Sequence, residues 1–315
     1  MPISAARRRT SSAGIGLAVA VLGISALVVP GSASGSAARS HAAPAARYRS
    51  ATCPNAYPLS QVHAGLRGTG YTTVKGKTPQ PFSVRVLGVL HDGIAAGIDM
   101  IVISTHSRAI TRNGTWEGMS GSPIYAGDGR LIGALSYGLS FGATNKAGVT
   151  PAAAMYQLLS DRKAQSTTYA KRVAIPRSMS ASDAAGGAGS DASGDLQLLP
   201  TPITVSGLPA AGLSDLRQRL RHAGAAPFSL HAGGARGVER HGSAASIRPG
   251  APFAVTTAYG DYTIGGVGTV TAVCKGKVLA FGHPMMGIGA TSETANTASV
   301  LYVQRDPTGP SFVMA

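Results

Sequence analysis

Gly118-Met119-Ser120-Gly121-Ser122-Pro123 combines a hydroxyl with the backbone freedom that acyl transfer requires. Glycine tolerates a positive φ and lets a second group approach the main chain, so a Gly-flanked serine suits a tight loop. Such a loop can present a nucleophile and aim two N–H donors at the point where oxyanion charge develops. Ser120 is the candidate nucleophile, and the Gly118 and Ser120 amides are the candidate oxyanion donors. A base must take the hydroxyl proton. His283, in Val278–Pro284 (VLAFGHP), lies one loop past an apolar run and is the first candidate. His91, beside Asp92-Gly93 and ahead of Ser120 in the chain, is the rival. The acid that would orient the imidazole is Asp261, in Gly260-Asp261-Tyr262, or Asp99; a Ser–His dyad without an acid is the third alternative.

The elements that must hold these residues read as strands. Pro123–Tyr125 and Arg130–Tyr137 are apolar runs on either side of Gly127-Asp128-Gly129, a strong hairpin signal. Ser120 then sits at the mouth of an antiparallel hairpin and not on the strand-to-helix elbow of α/β-hydrolases. Further strands are expected over Gly70–Val74, Phe82–Leu90 and Met100–Ser104 in the first half, and over Phe253–Ala258, Gly268–Val273 and Lys277–Phe281 in the second. Ala147–Leu159 reads as a turn into a helix, with Thr150 as cap and Pro151 at the first helical position.

The segment GMSGSPIY…DGRLIGALSYG resembles the signature of the SpoIVB peptidase family, serine peptidases related to the chymotrypsin-like double β-barrel. The hexapeptide is also similar to the GDSGGP of chymotrypsin-like enzymes, and LAFGHP is similar to the family's LGHP segment. The resemblance covers Leu87–Leu159 and Ala251–Ala315. It implies a mainly β, chymotrypsin-like double barrel with one or two short helices, Ser120 rather than Ser122 as nucleophile, His283 as base, and a protein substrate. In the sporulation members the histidine precedes the serine. Here it follows, which implies a permuted or differently wired barrel. The chain ends inside a strand-like pattern at Pro310–Ala315, which predicts a barrel short of a strand or two.

Composition agrees with β structure and many turns: 44% hydrophobic, 13% charged, 42 Gly and 19 Pro. The formal net charge of +15 suits attraction to an anionic envelope surface. No nucleic-acid motif, cofactor motif or Cys/His metal spacing is found in the sequence. Residues 1–42, with Arg7-Arg8-Arg9 before an apolar run and small residues, read as a signal peptide, so a secreted or envelope-facing protein is expected. Residues 43–162 form the half carrying the Ser loop, and 163–200 are a flexible linker rich in Ser, Ala, Gly and Asp. Residues 201–249 are a small helix-containing insertion, with Leu213–Ala223 as a packing helix, and 250–315 carry the His loop. Export makes a Cys53–Cys274 disulfide chemically feasible, but spacing alone leaves the bridge open. The expected function is a secreted serine endopeptidase, with self-processing at the linker. The alternative is a non-catalytic envelope module that uses the same Gly-rich hairpin to bind.

Overall fold

The computed structural model describes residues 53–139, 144–160, 168–181, 195–222, 228–233, 246–285, 291–306 and 309–315. Residues 1–42, read from the sequence as a signal peptide, lie outside them. A short 3-10 turn at Leu59–Gln61 precedes β1 (Arg67–Thr72), β2 (Gln80–Ala95) and β3 (Ile98–His106). α1 (Arg108–Asn113), β4 (Pro123–Ala126), β5 (Leu131–Leu139), β6 (Lys146–Pro151) and α2 (Ala152–Ser160) follow. Six of these strands close in the order β4-β1-β2-β3-β6-β5, with β5 returning to β4, and every pairing is antiparallel. The mainly β, chymotrypsin-like barrel expected from the sequence is therefore present. Closure removes the unpaired edges that an open sheet would leave.

The β4–β5 turn is the Gly127–Gly129 hairpin, in which Asp128 accepts hydrogen bonds from the Arg130 amide and guanidinium. β5 is buried along its whole length, so it reads as a continuous apolar run and not as an alternation. One side of β5 faces the barrel interior. On the other, Ala134 packs with Met155 of α2 and with Ala272, Cys274 and Leu279 of the second half. Ala147–Pro151 is not the expected turn. Its backbone is taken up between β3 and β5, so the helix starts only at Ala152.

The second half holds β7 (Arg172–Val173), α3 (Arg177–Ala181), β8 (Leu196–Leu198), β9 (Thr201–Ser206), α4 (Ala210–His222) and β10 (Phe228–Ala232). β11 (Pro252–Ala258), β12 (Thr263–Cys274), β13 (Lys277–Ala280), β14 (Thr294–Thr297), β15 (Tyr302–Gln304) and β16 (Phe312–Met314) complete it. Parts of the expected 163–200 linker are ordered strands: β8 extends the barrel sheet beside β5, and β7 pairs with β8. Leu196 and Leu198 are buried there, and these apolar residues are lost when composition is averaged over the whole low-complexity stretch. Residues 161–167 and 182–194 of that stretch lie outside the described residues.

The described part of the expected 201–249 insertion pairs with the sheet, and residues 223–227 and 234–245 lie outside the described residues. β9, α4 and the parallel β10 form a β–α–β unit, and β9 pairs with β12, so the unit is part of a second sheet ordered β10-β9-β12-β11-β14 with β13 beside β12. A parallel pair needs such a crossover. Leu213 of α4 packs on Ile203 and Val205, as a packing helix should. Among the described residues this second sheet is open. None of the described helices is long and apolar enough to cross a membrane.

Cys53 and Cys274 form a disulfide, with Cα atoms 4.8 Å apart, which ties the start of the described chain to the end of β12. Closing so long a loop restricts the unfolded chain, typically a gain of about 2–4 kcal/mol. Reduction, or Cys53→Ser, should lower the urea midpoint by that much free energy. The sole tryptophan, Trp116, is buried in the barrel core and reports the transition. An unchanged midpoint would show that the bridge carries no stability.

Candidate active site

α1 is capped by the Ser107 hydroxyl, which accepts from the Ile110 amide, and ends on Gly114 with positive φ. The chain then makes a compact loop. The Met119 amide donates to the Trp116 carbonyl (3.0 Å) and the Ser122 amide to the Met119 carbonyl (2.9 Å), and β4 begins at Pro123. Gly118 and Gly121, on either side of Met119-Ser120, have φ of 98° and 94°, values that only glycine adopts without strain. The loop is gripped by the two sheets. The Thr269 amide donates to the Ser120 carbonyl (2.8 Å) and the Gly121 amide to the Leu135 carbonyl (2.8 Å). The Thr269 and Thr271 hydroxyls donate to the Gly118 (2.8 Å) and Gly121 (2.7 Å) carbonyls. These threonines are two apart on β12 and so share a face.

The His283 segment meets the loop at Gly121. A Cβ on Gly121 would overlap the Thr269 carbonyl and the Phe281 main chain, and one on Gly282 would lie 2.8 Å from the Leu135 carbonyl and 3.4 Å from the Gly121 amide. Ser120 and His283 are therefore each one residue from the same contact. Ser120 is 0% exposed and His283 7%. His283 Nδ1 is 3.0 Å from the Pro284 carbonyl, an acceptor, so Nδ1 carries the proton and Nε2 presents a lone pair. Burial pushes the imidazole down to about 4, opposed by the Pro284 hydrogen bond, so the ring is neutral near pH 7. The segment is anchored further by Thr150, whose hydroxyl donates to the Gly282 carbonyl (2.7 Å), while the Ser136 hydroxyl lies 2.9 Å from Thr150 Oγ1.

Ser120 Oγ, Ser122 Oγ and His283 Nε2 are buried and have no hydrogen-bond partner, so Ser120 and His283 are not bonded to each other in this form. Nor do the Gly118 and Ser120 amides donate to any described residue. An unmet buried polar group costs about 1–3 kcal/mol, so a cluster of them calls for a role. The arrangement supplies a hydroxyl, a neutral imidazole with a free lone pair, and two unspent amides at one junction.

The other candidates lie elsewhere. Asp261 is exposed in the β11–β12 turn, and its carbonyl lies against Gly207. Thr269, the residue on Ser120, is six residues beyond the start of β12, about 20 Å along the strand at ~3.3 Å per residue. Asp261 is thus not brought to the imidazole, whose Nδ1 is held by a carbonyl instead. Asp99 binds the rival His91 at 3.2 Å near the β2–β3 turn, where the His91 side chain is 88% exposed, away from the buried Ser120 hydroxyl.

The sequence reading also passed over Glu117. This carboxylate is buried beside Gly118, accepts from the Ser229 hydroxyl and lies 3.5 Å from His231 Nε2. Burial raises its pKa, partly offset by the His231 and Ser229 hydrogen bonds. Its signal was an acid set between Trp116 and Gly118-Met119 in a chain poor in charge. Comparison with family models, with curated proteins and with solved structures finds no match to this chain.

Two outcomes test this geometry. Gly121→Ala forces a Cβ into two main chains and should cost about 3 kcal/mol or more, read from the urea midpoint. The His283 shift has a definite sign: its folded pKa is depressed from 6.5 to about 4, so its contribution is complete above pH 6.5. It declines as the pH falls from 6.5 towards 4, in total by on the order of 3 kcal/mol. His283→Gln should flatten that part of the stability–pH curve; an identical slope in the variant would refute the burial argument.

Proposed function

We propose that the chain is a serine-type peptidase that cleaves exported or envelope proteins by acyl transfer through Ser120, with His283 as general base. The observation that carries this is the pair of unpartnered buried atoms, Ser120 Oγ and His283 Nε2, on segments interlocked at Gly121 and Gly282. The resemblance of GMSGSPIY and LAFGHP to the SpoIVB peptidases supports it independently. Export rests on the leader-like residues 1–42.

In the reaction, His283 Nε2 takes the Ser120 proton as Oγ bonds to the scissile carbonyl carbon. The Gly118 and Ser120 amides hold the resulting oxyanion, each worth roughly 3 kcal/mol of barrier. The imidazolium returns its proton to the leaving amine, and water then releases the acyl group by the reverse sequence. The Ser120–His283 hydrogen bond has to close on substrate binding, as catalytic bonds that are open in an apo form commonly do. The Pro284 carbonyl sets the imidazole tautomer where other enzymes use an acid, so the site works as a dyad.

One observation favours a second reading. The Ser120 side chain has no exposure, which also suits a non-catalytic envelope module whose loop is purely structural. A fluorophosphonate probe separates the two. Labelling should disappear in Ser120→Ala, persist in Ser122→Ala, and fall by about 10²–10⁴ in His283→Ala. Folded wild-type protein and variants that never label would favour the module.

A further inference from the structure

β15 and β16 pair with each other and form a two-stranded sheet of their own, outside both larger sheets. Among the described residues, the main chain on the free edge of β16 is paired at Glu117. The Glu117 amide donates to the Ser311 carbonyl (2.8 Å), and the Val313 amide donates to the Glu117 carbonyl (3.0 Å). Glu117 and Phe312 are thus bridged in parallel, as an extended peptide adds to an exposed main-chain edge. Glu117 is the residue before Gly118. The Val313 side chain packs on Gly118, where a Cβ would collide with it, next to an amide assigned above to the oxyanion. Phe312, one residue away and so on the opposite face of the strand, stacks on the His231 ring with centroids 3.6 Å apart.

We propose that Ser311–Val313 occupies, within its own chain, the edge where an extended peptide substrate docks. The described form is then self-blocked. This inference rests on the acyl-transfer reading for what the docked peptide undergoes, and on the hydrogen bonds alone for where it docks.

The site so defined has two side-chain positions. An aromatic residue lies on His231, and the next, a branched aliphatic residue, lies on Gly118. The Glu117 carboxylate accepts from Ser229 and lies 3.5 Å from His231 Nε2, so it steadies the ring on which the aromatic residue lies, while the Glu117 main chain pairs with the strand. The preferred substrate is an extended segment with an aromatic residue followed by a β-branched one. Burial of Val313 in the barrel core cluster and the hydrogen bond that the Ser311 hydroxyl donates to the Asn113 carbonyl (2.9 Å) keep the strand seated.

The test uses the full chain with Val313→Asp, which places a charge against Gly118 and the apolar core. The substituted strand should leave its edge, and fluorophosphonate labelling of Ser120 should rise about tenfold, the ratio that a ~1.4 kcal/mol loss produces. A fluorescent hexapeptide of sequence Pro-Ser-Phe-Val-Met-Ala should bind the variant and not the wild type, and should suppress the gained labelling. A folded variant with unchanged labelling and no peptide binding overturns the proposal, as does faster labelling without peptide binding. If the peptide binds but no form ever labels, the docking edge stands and the Ser120 chemistry fails. If Val313→Asp does not fold, hydrogen exchange of the wild type decides. The Glu117 and Val313 amides should open locally and exchange ahead of those in β3 and β5; exchange only with the barrel makes β16 a permanent core strand and overturns the inference.

Discussion

Two main chains meet at Gly121 with no side chain between them. Backbone from the barrel loop and backbone from Phe281–Gly282 lie so close that one methyl group at Gly121 would drive them apart, and one at Gly282 would strike the Leu135 carbonyl. The approach persists because neighbours on both sides hold it. Leu135 and the threonines of β12 bind the loop, and Thr150 binds the Gly282 carbonyl. Interiors this dense do not deform gradually, so a change at this contact is transmitted to both segments that carry the candidate chemistry.

The same closeness sets the electrostatics. Ser120 and His283 are buried, and desolvation keeps the imidazole neutral, with the Nε2 lone pair unpartnered. A buried carboxylate on Nδ1 would itself need desolvating; a neighbouring carbonyl orients the ring without adding a charge. The titratable pair at His91 and Asp99 has the opposite character. His91 is 88% exposed there, and an ion pair with one member in water contributes little. Partner proximity in sequence is a poor guide to chemistry, and burial is a better one.

Chain order is no obstacle to this arrangement. The Ser120 loop comes from the closed barrel and His283 from the second sheet, open among the described residues, which enters through β9, α4 and β10 before β12 delivers its threonines and β13 the turn to His283. A catalytic constellation is a matter of geometry, so the serine can precede the histidine when the second sheet folds back on the first. The C-terminal strand then closes the same loop from a third direction, through Glu117 and Gly118.

Local pattern in the sequence was enough for the elements whose physics is local. The Gly-Asp-Gly hairpin, the amphipathic α4, the β preference of Val- and Ile-rich runs and the glycines that must flank Ser120 all follow from backbone sterics and side-chain period. Tertiary structure decided what depends on distant groups. Thr150 looked like a helix cap, and the β3 and β5 ladders turned it into a strand residue holding Gly282. Leu196 and Leu198 were hidden in a low-complexity stretch until β5 offered them an edge. Asp261 looked well placed before the His strand pair, yet the length of an extended strand carries it away. Cys53 and Cys274, and Glu117 with Ser229 and His231, are paired by the fold alone. The physical reason is the same in each case: a residue's hydrogen-bond partners and its desolvation come from segments far along the chain, and no local spacing encodes them.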